Sequence, residues 1–322
     1  MRAIKTVFLV LGGVLLGVLV YRVGTGPILE TLARLTWWQF ALVCLPYAVI
    51  MAADTLGWRF AFARDRAPFH RLYGARLAGE ALNIVTALGA VGGEAAKAWL
   101  VRRDVSYEES VPSVVIAKTS ITLAQALFLV VGLAVAWYVL PPGTEILRVM
   151  TWLLLMEVLA VAGFVGAQLA GLVARGGRLL KMVGAIADTA YAETLDRGLR
   201  RYYRREWRRL ALSLLFHLAG WLLGVLDAIV ILWALGIDVS VAAATVIEAF
   251  GSGVRFATFL VPANLGSSEA ANAGAFAGLG LGAATGLAFS FVRRARQVVW
   301  VGLGLAVLVV MRWADRRLAP AR

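Results

Sequence analysis

The sequence predicts an all-α, polytopic integral membrane protein with about six full spans and two re-entrant broken-helix segments arranged as an inverted repeat. Three observations carry this. The 322 residues are 61% hydrophobic, with a mean hydropathy of +0.80, a composition that belongs in lipid rather than in a soluble core. Two apolar stretches are interrupted by charge together with glycine or proline. Those stretches also echo each other: Gly92-Gly93-Glu94-Ala95-Ala96-Lys97-Ala98 matches Ser267-Ser268-Glu269-Ala270-Ala271-Asn272-Ala273. With Glu94 aligned on Glu269, Glu80 falls opposite Arg255, fourteen residues earlier, and Lys118 opposite Arg293, twenty-four later. Paired interrupted segments in two halves point to a transporter-type site. The halves are residues 1–140 and 141–322.

In chain order, Arg2 and Lys5 precede an apolar run, 6–23. It is too long for a signal-peptide core and lacks a small-residue cleavage site. It is therefore predicted as a retained span with a cytoplasmic N-terminus. Trp37 and Trp38 open the second span at an interface, where indoles settle, and that span contains Asp54. Arg59, Arg64, Arg66, Arg71 and Arg76 follow against Asp65 and predict a cytoplasmic loop. The first broken segment, 77–101, carries Glu80, Asn83, Glu94 and Lys97 and is interrupted at Gly89, Gly92 and Gly93. Each charge at bilayer depth costs roughly 2.5–3.5 kcal/mol on insertion scales. Irregular backbone survives there only beside protein or water. Basic residues at both ends, Arg76 before and Arg102-Arg103 after, make the segment re-enter rather than cross.

A span over 113–140 contains Lys118 and ends at the outer turn Pro141-Pro142-Gly143; 146–173 returns inward with Glu157. Residues 175–209 hold ten Lys/Arg against four acids. Tyr191, Leu195, Leu199, Tyr202, Tyr203 and Trp207 recur at helical spacing among them. This predicts a basic amphipathic linker, 174–209, on the inner leaflet, attracted to anionic lipid. A plain basic cytoplasmic linker fits equally. The next span, 210–235, contains Asp227, with His217 near its entrance as an interfacial residue. The second broken segment, 241–287, carries Glu248, Arg255, the break Pro262-Ala263-Asn264-Leu265-Gly266, and Glu269. Arg293, Arg294 and Arg296 precede a last span, 298–313, and a basic cytoplasmic tail. This order sets those three arginines toward the outer side, against the positive-inside rule unless one is buried with a partner.

The net charge of +13 is distributed between apolar spans and comes with no nucleic-acid module, so no nucleic-acid partner is expected. Cys44 is the only cysteine and His70 and His217 the only histidines, which leaves no intrachain disulfide and no His-rich metal site. There is no Walker loop, HExxH or Ser/His/Asp order. The expectation is a non-enzyme with no cofactor; a lipid transferase hidden among Glu80, Glu94 and His217 is the enzymatic alternative.

The candidate substrate-binding residues are Glu80, Asn83, Glu94, Lys97, Lys118, Glu248, Arg255, Asn264, Glu269 and Arg293. Two readings stand for each. Glu94 and Glu269 gate or contact a headgroup, or cap their own half-helices. Lys118, Arg255 and Arg293 hold a lipid phosphate, or neutralise buried carboxylates. Asn83 and Asn264 contact substrate, or satisfy backbone freed by the breaks.

At these residues the chain resembles a known family. Gly92-Gly93-Glu94 with Lys97 and Arg102-Arg103, then Pro262-Ala263-Asn264-Leu265-Gly266 with Glu269 and Arg293, resemble the two motifs of the lysylphosphatidylglycerol-synthase transmembrane, or flippase-like, family. The stretches Val91-Gly92-Gly93-Glu94, His217-Leu218-Ala219-Gly220-Trp221-Leu222-Leu223-Gly224, and Glu248 with Arg255-Phe256-Ala257-Thr258-Phe259-Leu260-Val261-Pro262 are most similar to its hopanoid-biosynthesis-associated branch. That branch usually shows Gln-Glu-Gly character after the proline, where this chain has Ser267-Ser268-Glu269-Ala270. The resemblance implies a protein of the bacterial inner membrane, both termini cytoplasmic, that moves an anionic, polyprenyl-phosphate or hopanoid-type lipid. The alternative is a scaffold that binds lipid-biosynthesis enzymes. Large members add a soluble aminoacyl-transferase domain that these residues do not contain, so aminoacyl-lipid synthesis is not implied.

Overall fold

A computed structural model describes residues 2–65, 67–86, 90–170 and 190–317. Among them the secondary structure is helical, without strands. The helices are α1 (Arg2–Val23), α2 (Thr25–Leu32), α3 (Trp37–Ala61), α4 (Phe69–Val85), α5 (Ala90–Leu100), α6 (Tyr107–Val139) and α7 (Glu145–Leu169). Then come α8 (Ala190–Arg205), α9 (Trp207–Ala234), α10 (Val241–Ala257), a 3-10 turn (Pro262–Asn264), α11 (Ser267–Gly278) and α12 (Ala283–Arg317). Five helices, α3, α6, α7, α9 and α12, are long and apolar enough to cross a membrane; α1 and α2, bent by 90°, form a sixth candidate. The protein is a polytopic membrane protein.

Helix starts follow from local chemistry. Before α3, the Thr36 backbone N–H donates to Gln39 Oε1 at 2.9 Å, satisfying a free donor. Before α10, Ser240 Oγ accepts from the Ala243 N–H at 3.1 Å.

Two series of four helices run in the same order. In α3–α6 and in α9–α12, a long helix leads to two short ones and a second long one. The short helices measure 17 and 11 residues in the first series and 17 and 12 in the second. The closing helices measure 33 and 35 residues. Each short pair packs against the closing helix of the other series: α4 on α12, and α10 on α6. Helices α3 and α9 meet in the middle. The series therefore interlock.

That central crossing is close because small residues permit it. A Cβ on Gly57 would strike the His217 ring at 2.5 Å, and one on Gly220 would lie 2.7 Å from Asp54 Oδ1. His217 is fully buried, with Nδ1 2.9 Å from Ser120 Oγ. It is thus a core residue of the helix crossing and not the interfacial residue expected; the glycine opposite leaves room for its ring.

Three further expectations are corrected. The first short pair starts at Phe69, not at 77, because Arg76 lies within α4, buried against Asp54 rather than exposed in a loop. The second short pair ends at Gly278, not at 287, and the last long helix starts at Ala283, not at 298. Arg293, Arg294 and Arg296 therefore lie inside a long apolar helix, each beside a carboxylate, and not in an outer loop. Between the first two candidate spans, α2 occupies most of 24–36.

Of the basic linker, 174–189 falls outside the described residues, as do Gly89 of the first break and the tail from 318. Helix α8 is amphipathic, but its apolar side is taken up by the protein. Leu199 and Tyr202 are buried in a core with Trp58, Phe62, Leu100 and Val114, and the Tyr202 hydroxyl donates to the Phe60 carbonyl at 2.7 Å. Arg200, Arg201, Arg204 and Arg205 face outward.

Candidate functional site

Where the two series meet, a cavity of about 450 Å³ opens between α3, α4, α6, α9, α10, the 3-10 turn, α11 and α12. A smaller one of about 40 Å³ shares Arg76, Glu80, Lys118 and Ile121 with it. Lys118 sits eleven residues into α6 and Arg293 ten into α12. At ~1.5 Å per residue these are roughly 15–17 Å along their helices.

The first series supplies one charged cluster. Lys97 Nζ lies 2.9 Å from Glu80 Oε1 and 3.0 Å from Glu94 Oε1. Arg76 Nη2 lies 2.8 Å from Asp54 Oδ2 and 3.8 Å from Glu80 Oε1. Lys97 and Arg76 are buried, which membrane-depth cations tolerate only with such partners. Asn83 uses its carbonyl oxygen to accept the Gly93 N–H at 2.9 Å. It lines neither cavity, and serves the backbone at the break. A Cβ on Gly93 would overlap Asn83 and the Gly79 carbonyl, so only glycine lets α5 fold back onto α4 at this point.

The second series supplies the other cluster. Glu248 joins two arginines: Arg255 Nη2 at 2.9 Å and Arg293 Nη2 at 2.6 Å. Asp227 joins Arg293 at 3.3 Å and pairs with Arg296. Glu269 is held by Arg294 Nε at 2.7 Å, and its other oxygen accepts the Gly266 N–H at 2.7 Å.

The second break is built from unusual backbone. Ala263 and Asn264 have φ of 51° and 49°, a region that non-glycine residues rarely enter. Arg294 fixes it by donating to the Ala263 and Asn264 carbonyls at 2.7 and 3.1 Å. The arginine thus replaces the helical donors that the break removes. The side chain of Asn264 accepts from Thr258 Oγ1 at 3.0 Å.

Lys118 differs from all of these. It lines both cavities, is exposed, and among the described residues has no carboxylate within ion-pair distance. The wall around the charges is divided. Ile50, Met51, Leu77, Ile84 and Val301 line one part of the larger cavity, with Trp221 and Trp300 adding indoles.

Of the ten predicted residues, the larger cavity gathers Glu80, Lys118, Glu248, Arg255, Asn264, Glu269 and Arg293. Glu94 and Lys97 line the smaller one. Asp54, Arg76, Asp227, Arg294 and Arg296 also line the larger cavity but were not among the ten. The sequence did carry a signal for Arg76, four residues before Glu80 on one helix face. Glu157 lies apart from both cavities, fully buried, with no hydrogen-bond partner for either oxygen among the described residues. No group of three or more His, Cys, Asp or Glu suited to a metal ion occurs among the described residues.

Chemically, this is a preorganised field of fixed charges with an apolar flank. No curated protein and no solved structure matches the chain. The model of the family described as Lysylphosphatidylglycerol synthase TM region matches residues 5–306, which includes both short-helix pairs and nearly every charge of the site. The chain belongs to this family of lipid-handling membrane proteins.

Proposed function

We propose that this protein is a transporter that carries an anionic lipid between leaflets without altering it chemically. The observation that supports this most is Lys118: an exposed cation with no carboxylate within ion-pair distance among the described residues, in a cavity whose other charges are all matched. An uncompensated charge there is expensive, and a ligand that neutralises it removes the cost. The interlocked series supply a reason for the fold. Two similar units meeting at one central site suit alternating access, in which one unit rocks against the other. In this reading the basic loops face the cytoplasm of a bacterial inner membrane, and the exposed arginines of α8 attract inner-leaflet anionic lipid.

The test is the leaflet distribution of fluorescent anionic lipid in proteoliposomes, read by dithionite quenching. Purified protein is expected to expose inner-leaflet probe well above the protein-free rate. If no anionic or polyprenyl-phosphate lipid moves under any gradient, the transport reading fails. A second reading, a scaffold for lipid-biosynthesis enzymes, is favoured by the row of outward arginines on α8; it gains if the protein binds anionic vesicles but moves nothing. Assignment to the hopanoid-associated branch rests on the 91–94, 217–224 and 255–262 stretches, with Glu248.

A further inference from the structure

The charges around the two cavities can be counted. Seven cations and six carboxylates line them. Every carboxylate has a cation at 3.0 Å or less, and every cation except Lys118 has a carboxylate equally close. Contacts of that length match each carboxylate with a cation. The site therefore has one positive charge in excess, located at Lys118, and no carboxylate to spare.

We infer that the cavity selects a lipid whose head carries one net negative charge on a phosphodiester, in preference to a phosphomonoester or a zwitterion. This rests on the lipid-transport reading above. A monoester carries roughly −1.5 to −2 at neutral pH. Its second charge would have to stay unpaired at membrane depth, or draw an arginine away and strand that arginine's carboxylate. Either is costly in a medium that solvates ions poorly. A zwitterionic head brings a cation that finds no free carboxylate, since all six are occupied. A singly charged diester leaves nothing unpaired. The apolar wall of Ile50, Met51, Leu77, Ile84 and Val301 accounts for a chain attached to that head, so free phosphate lacks half of the complementary surface.

Trp221 and Trp300 line the cavity and provide an intrinsic signal. Purified protein in zwitterionic nanodiscs is titrated with phosphatidylglycerol, phosphatidic acid, phosphatidylcholine and inorganic phosphate, following tryptophan fluorescence. Phosphatidylglycerol is expected to bind at least tenfold more tightly than the other three, and Lys118→Gln to abolish that advantage. Lys118 has no ion pair, so this variant strands no carboxylate; an unchanged melting temperature confirms folding. Equal or tighter binding of phosphatidic acid or inorganic phosphate overturns the charge rule, and so does a preference that survives Lys118→Gln. If no lipid binds and none moves in proteoliposomes, the transport reading itself is wrong.

Discussion

Arg294 holds Glu269 through Nε at 2.7 Å while its other nitrogens hold the carbonyls of Ala263 and Asn264. One side chain thus ties the last long helix, the second break and the start of α11 together. Glu269 has this arginine as its only cation within ion-pair distance among the described residues, whereas Glu248 has two. Removing Arg294 strands a carboxylate; removing Arg293 leaves Glu248 with Arg255 and Asp227 with Arg296. Arg294→Ala is expected to cost about 3–5 kcal/mol, and Arg293→Ala clearly less. Adding Glu269→Gln to Arg294→Ala should recover part of the loss, and adding it to Arg293→Ala should not. Melting temperatures in detergent rank the four variants, and a larger loss for Arg293→Ala would refute this assignment of partners.

Gly57 is predicted to be irreplaceable while His217 is present. A methyl group at 57 would meet the imidazole at 2.5 Å, and overpacking of this kind costs about 1–3 kcal/mol. Gly57→Ala should lower the melting temperature, and Gly57→Ala with His217→Ala should regain much of it. Independent, additive losses would show that the ring and the glycine do not share this space.

Glu157 provides a test in the opposite direction. Its two oxygens are buried without hydrogen-bond partners among the described residues, a state that costs about 1–3 kcal/mol or more for a polar group. Glu157→Met, similar in volume and apolar, should raise the melting temperature and leave lipid movement unchanged. Loss of transport in this variant would mean that Glu157 works in the cycle despite its distance from the cavities.

The loop that follows α3 should respond to acid through Asp65. Burial pushes this carboxyl up, but the hydrogen bond and charge of Arg209, with help from Arg59, outweigh it and hold it below the usual carboxylate range. A depressed carboxyl contributes stability above its unfolded value, near ~3.9, and that contribution is lost as pH falls through the folded value. Asp65→Asn should therefore be less stable than the parent at neutral pH and converge with it under strong acid. A constant difference across the range would exclude the mechanism.

Much of this was legible in the sequence, and the failures share a cause. The two breaks, their glycine, proline and acidic residues, and six candidate spans follow from apolar runs and their interruptions. Hydropathy misplaced Arg76 and Arg293–296 because it scores an arginine as if it faced water. Inside this fold Asp54, Asp227, Glu248 and Glu269 neutralise them, and those partners are 22 or more residues away in the chain. The same blindness put His217 at an interface, since nothing local indicates that Gly57 lies opposite. Lys118 was found through the repeat, but only the geometry reveals that, of the charges lining the cavities, it alone has no ion pair among the described residues.

The central claim is that the charge of Lys118, and not its bulk, brings the lipid head into the membrane. Lys118→Cys, in a background with Cys44→Ala, removes the charge and leaves one thiol for chemistry. Anionic-lipid movement in proteoliposomes should fall at least tenfold, return after attachment of an aminoethyl group, and stay low after attachment of a neutral methylthio group. Full transport by the unmodified cysteine variant, or equal rescue by both reagents, would contradict the account.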